Sequence, residues 1–88
     1  KPQAKPQSVK VEAARLYNKA HARAYTVTAG DGLNMRAGAG TDKAILTTLK
    51  KGTTFRCYGY YNIQTDGTVW LYGVANGKTG YCSKAYLR

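Results

Sequence analysis

The chain has 88 residues, room for one domain with one modest core. Fourteen Lys and Arg against four Asp and Glu give a formal net charge of +10, which points to anionic partners such as nucleic acid, anionic lipid or wall polymers. No apolar run approaches the roughly 20 residues that span a bilayer, and two cysteines are too few for a disulfide framework or a four-thiolate zinc site.

Residues 1–7 read KPQAKPQ, a doubled Lys-Pro-Gln unit that disfavours helix and offers nothing to a core. It reads as the end of an extended linker. With no initiator Met and no signal peptide, the expectation is a fragment or processed product whose upstream part is missing. Residues 8–24 read as a short linker helix. Val9, Ala13, Leu16, Tyr17, Ala20 and Ala24 recur at spacings of three and four, and Ser8 is its N-cap. Lys10, Arg15, Lys19 and Arg23 make the opposite face basic.

From Tyr25 the pattern becomes short strands, and all ten glycines lie at or after Gly30. The predicted strands are Tyr25–Ala29, Leu33–Arg36, Ile45–Leu49, Thr53–Tyr61, Val69–Ala75 and Lys78–Cys82. Asp66-Gly67 and Asn76-Gly77 are hairpin turns, and Ser83–Leu87 closes the chain with one helical turn. With no helix between strands, 25–88 is expected to be all-β, a small barrel or sandwich preceded by the linker helix.

Strand parity sorts the aromatic residues. Phe55, Cys57, Gly59 and Tyr61 share the side that suits a core, while Arg56, Tyr58 and Tyr60 share the other. Leu71 and Gly73 lie opposite Trp70, Tyr72 and Val74. A Thr53–Tyr61 hairpin with Val69–Ala75 then gathers Tyr58, Tyr60, Trp70 and Tyr72 outside. Such rings either bind a ligand or cover core edges. Cys57 and Cys82 both read as inward, either bridged or as two small buried residues.

Several segments resemble bacterial SH3-type domains. Leu33-Asn34-Met35-Arg36-Ala37-Gly38-Ala39-Gly40-Thr41 is similar to their "L-N-V-R-S-G-P-G-T" opening, and Leu49-Lys50-Lys51-Gly52-Thr53 to their "L-K-K-G-T". Trp70, the Asn76–Cys82 run and Ser83-Lys84-Ala85-Tyr86-Leu87 resemble their "W…N-G-K-T-G-W-V" hairpin and closing "S-S-x-Y-L". The resemblance covers residues 25–88. It implies a bent SH3-like barrel that targets a peptidoglycan hydrolase, such as a phage endolysin or autolysin, to a Gram-positive wall. The parent enzyme would be one such as an N-acetylmuramoyl-L-alanine amidase, with its catalytic domain upstream. The implied partner is the stem peptide or cross-bridge of peptidoglycan, with anionic wall polymers drawn by charge. The implied location is the wall or the extracellular space after release, following synthesis in the host cytoplasm for an endolysin. Tyr81 stands where the family often has Trp, and Cys57 and Cys82 where it often has Val.

No catalytic constellation can be assembled. His21 is the only histidine and lies on the expected helix, and Glu12, Asp31, Asp42 and Asp66 are scattered. Neither a cofactor nor a metal is expected, and this fragment is not read as an enzyme. The candidate ligand residues are Asn34, Arg36, Asp42, Tyr58, Tyr60, Trp70, Tyr72, Tyr81 and Tyr86. Asn34 and Arg36 suit ligand carbonyls or carboxylates, and equally a turn and an aromatic stack. The competing function is a basic β-barrel that binds nucleic acid, although no RNP-like motif is present. An exposed strand edge and the expected helix also leave room for a homodimer.

Overall fold

The computed structural model describes residues 11–88. The linker 1–7 and the first residues of the expected helix lie outside the described residues. Where the sequence alternates, strands form: β1 (Leu16–Tyr17), β2 (Ala24–Thr26), β3 (Leu33–Arg36), β4 (Ile45–Leu49), β5 (Thr54–Ile63), β6 (Val69–Ala75) and β7 (Lys78–Ser83). Short 3-10 turns occupy Lys19–His21 and Lys84–Tyr86. The strands pair antiparallel in the order β1-β5-β6-β7-β3-β4. The chain is thus the expected all-β fold, with β3, β4 and β6 on the predicted residues. At the β6–β7 turn, Asn76 and Gly77 both take positive φ, of 51° and 77°, as a two-residue hairpin loop requires.

The ten-residue β5 organises the sheet. Its first half pairs with β2 and its second with β1, so one edge takes two short partners. Between the pairs Cys57↔Gly73 and Tyr61↔Leu71, β5 spends two more residues than β6. That even excess keeps Tyr61 on the side of Cys57. Gly59 sits in this bulge at a φ of +102°, and a Cβ there would meet the Tyr17 ring at 2.7 Å. Beyond the second 3-10 turn the chain returns to β2. Thr26 and Arg88 exchange backbone hydrogen bonds of 3.0 and 2.9 Å, closing the barrel.

Two buried groups lie on opposite sides of the sheet. The barrel core gathers Tyr25, Val27, Leu33, Met35, Leu49, Phe55, Cys57, Leu71, Ala75 and Cys82. Ala37, Trp70 and Tyr81 are also buried yet stand outside this cluster. On β6, Trp70 and Tyr72 alternate with Leu71, so parity carries them away from the core, and Tyr81 pairs with Tyr72. Residues 11–15 roof this outer side. Glu12 donates its N–H to the Ala37 carbonyl at 2.7 Å, and Tyr81 Oη donates to the Glu12 carbonyl at 2.8 Å. Asn62 accepts from the Arg15 N–H at 2.7 Å and donates Nδ2 to the Ala13 carbonyl at 3.4 Å.

The roof corrects the helix expected over 8–24. Residues 11–24 form an irregular stretch, β1, a 3-10 turn and the start of β2. The intended apolar face had little to bury: half of it is alanine, and Leu16 and Tyr17 remain 40% and 56% exposed. A short helix without a buried face is marginal in water. The extended form instead places backbone groups on the β5 edge, Asn62 and Ala37.

The bridge considered for Cys57 and Cys82 is also corrected: both are free, buried thiols. Strand β6 stands between them, since Cys57 pairs with Gly73 and Cys82 with Leu71. Two strand spacings, roughly 10 Å, exceed the reach of a disulfide.

Asn62→Ala leaves the Arg15 N–H without its acceptor and is expected to cost about 1–3 kcal/mol in urea unfolding. Stability should also depend on pH at the alkaline end. Burial pushes the Cys82 thiol from 9.0 up to about 12. Burial, with Tyr72 and Glu12 nearby, pushes the Tyr81 phenol from 10.0 up to about 12. Both are neutral when protonated, and the folded chain holds these protons more tightly than the unfolded one. Stability is therefore full below pH 9 and falls as the pH rises through 9 to 12, measurable as a declining melting temperature.

Candidate functional site

A concavity of about 570 Å3 opens where β3, the β5–β6 turn and the chain end meet. Strand β3 supplies Asn34 and Arg36, since its alternate residues Leu33 and Met35 point into the core. The loop after β3 supplies Thr41, and the β5–β6 turn supplies Gln64, Asp66 and Thr68. Trp70 comes from β6, Ser83 from the end of β7, and Ala85 and Tyr86 from the closing 3-10 turn.

Local bonds fix most of these groups. Trp70 donates Nε1 to Gln64 Oε1 at 3.0 Å, so its one donor is committed and its ring, almost wholly buried, backs the groove. Arg36 commits one Nη1 bond to the Lys43 carbonyl at 3.0 Å and keeps its other donors for a ligand. Asn34 Oδ1 accepts from Thr48 Oγ1 at 2.7 Å, which leaves the amide nitrogen to give. Asp66 Oδ1 accepts from the Thr68 N–H at 2.9 Å. Hydrogen bonding to Thr68, side chain first and backbone second, holds the Asp66 carboxyl below the usual carboxylate range. Tyr86 is 51% exposed and presents both ring and hydroxyl. The groove thus combines a cation, an anion, two amides, hydroxyls and one exposed aromatic ring, that of Tyr86. That donor and acceptor set suits an extended, amide-rich ligand carrying charge.

Of the nine candidate residues, Asn34, Arg36, Trp70 and Tyr86 meet at this groove. Asp42 is exposed beside the lining residue Thr41. The expected exterior patch of Tyr58, Tyr60, Trp70 and Tyr72 is not assembled. Trp70 is only 4% exposed, and Tyr72 packs on Tyr81 with ring centroids 5.2 Å apart. Tyr81 itself is fully buried beneath the roof, which removes it from any direct contact surface. Tyr58 and Tyr60 are exposed but do not line the groove, and Tyr60 packs against Tyr17. Sequence reading missed Gln64, Asp66, Thr68 and Ser83. The signal for the first three was the Asp66-Gly67 turn, which places its flanks beside the start of β6.

Among the described residues, no three His, Cys, Asp or Glu come together as metal ligands. Burial raises both thiols above the ordinary range, so neither is an activated nucleophile.

A family model described as Bacterial SH3 domain matches residues 31–88. No curated protein and no solved structure matches the chain.

Trp70 is the only tryptophan, so its fluorescence reports on the groove alone. Its emission is expected to be blue-shifted and weakly quenched by acrylamide. Gln64→Ala frees the indole N–H and should raise the quenching constant without unfolding the chain; an unchanged constant would mean that Gln64 does not hold the ring.

Proposed function

This chain belongs to the bacterial SH3 domain family, and on that premise we propose that it is a non-catalytic module that holds a larger protein on the bacterial cell wall. Its ligand is the peptide portion of peptidoglycan, a stem peptide or cross-bridge, taken up in the groove of Asn34, Arg36, Gln64, Asp66, Trp70 and Tyr86. The observation that carries this reading is the presence of Arg36, Asp66 and the exposed Tyr86 ring in one open groove. An extended peptide offers carbonyls and carboxylates to Arg36 and Asn34, and an amine or amides to Asp66. Its aliphatic side chains can lie on Tyr86.

The net charge of +10 acts at longer range, drawing the protein to anionic wall polymers and raising the encounter rate. A repeating polymer adds avidity to a modest single-site affinity. The parent protein on this reading is a peptidoglycan hydrolase of the endolysin or autolysin kind, an amidase among the options, acting at the wall. Nucleic acid fits the groove less well, because the Asp66 carboxylate in its lining repels phosphate.

Sedimentation with purified Gram-positive sacculi stripped of teichoic acid tests the proposal. The chain is expected to co-sediment and to release no soluble muropeptide. Arg36→Ala and Tyr86→Ala should each weaken binding by about 5–30-fold. A chain that stays in the supernatant, or that cleaves the sacculi alone, refutes the reading.

A further inference from the structure

Residues 11–17 precede the matched segment, yet they bear on the wall of the groove. Glu12 is the point of contact. Its N–H donates to the Ala37 carbonyl at 2.7 Å, its carbonyl accepts from Tyr81 Oη at 2.8 Å, and its carboxylate meets Lys43 Nζ at 2.9 Å. Ala37 and Lys43 are the two ends of the loop that follows β3. The same loop presents Thr41 to the groove, and the Lys43 carbonyl receives the Arg36 guanidinium at 3.0 Å. The residue that orients Arg36 is therefore the one whose side chain Glu12 holds.

We propose that Glu12 is a positioning residue for the groove: by pinning the 37–43 loop at both ends it fixes where Arg36 and Thr41 stand, and it ties ligand affinity to the docking of the N-terminal segment. The physical cause is preorganisation. A loop left free would have to be ordered when ligand arrives, and that ordering would be subtracted from the binding free energy. Arg36 is the groove's cation, so the ligand groups affected are carboxylates and carbonyls. The backbone N–H of Glu12 holds the Ala37 end, and the ion pair holds the Lys43 end. The pair is partly exposed, with the two side chains at 38% and 41%, so its effect is modest. The inference rests on the reading of the groove as the ligand site.

The test uses the full chain with Glu12→Lys, Lys43→Glu and the double exchange, with Glu12→Gln as a milder variant should a single exchange fail to fold. Two readouts are taken: amide exchange at Ala37 and Lys43 by NMR, and binding to stripped sacculi. Each single variant is expected to speed exchange at those amides by about 2–5-fold and to weaken binding by a similar factor. The double exchange restores the pair with reversed polarity and should recover both readouts. Bulk charge makes the opposite demand, namely that Glu12→Lys binds more tightly and Lys43→Glu less; that pattern overturns the proposal. Unchanged loop exchange in the single variants, or a double variant that recovers nothing, overturns it as well. Should the wild-type chain bind no sacculi, the exchange measurement still decides the role of Glu12, and only the wall-binding reading fails.

Discussion

The hydrogen bond from the Tyr81 phenol to the Glu12 carbonyl is the constraint around which the outer side of this barrel is arranged. Tyr81 stands on the side of β7 that faces away from the core, where a large ring would ordinarily meet water. The N-terminal segment crosses above it and removes it from solvent. Once there, the phenol needs an acceptor, and the extended backbone of residues 11–15 supplies one. Asn62 completes the arrangement by binding that backbone on both sides, through the Arg15 N–H and the Ala13 carbonyl. The sheet is therefore covered on both faces, by the core within and by a peptide strap without.

This arrangement shapes the groove. The strap meets the 37–43 loop, the loop meets Arg36, and Arg36 stands in the groove wall opposite the β5–β6 turn. Trp70 is held from the turn side by Gln64. The recognition surface is thus assembled from parts far apart in sequence, each fixed by one or two polar bonds. Its charged lining residues are one cation, Arg36, and one anion, Asp66, in a chain whose net charge is +10. A groove of mixed charge inside a basic protein separates two tasks, long-range attraction and local fit.

Much of the fold was legible because its signals are local. Asn76-Gly77 demanded a two-residue hairpin, and alternation marked β3, β4 and β6 to the residue. The parity of β5 survived its bulge because the excess was even. The N-terminal segment was misread for a physical reason: its small and apolar residues recur at helical spacing, yet their helical face had nothing to cover. Extended backbone with partners waiting at Asn62, Ala37 and the β5 edge was the better solution, and no local pattern announces such long-range partners. The same gap explains the site. Asn34, Arg36, Trp70 and Tyr86 were legible from motifs, whereas Tyr81, a candidate ligand residue at the position where the family often has Trp, lies beneath the strap. Exposure depends on what lies above a side chain as well as on the side it points to.

The roof over Tyr81 is the claim on which this account stands, and a nuclear Overhauser spectrum of the 88-residue chain tests it most directly. Cross-peaks between the Tyr81 ring protons and residues Glu12 and Ala13 are expected, with a phenolic proton slow enough in exchange to be seen. A spectrum without those contacts, in which Tyr81 behaves as a solvent-facing ring, would contradict the account.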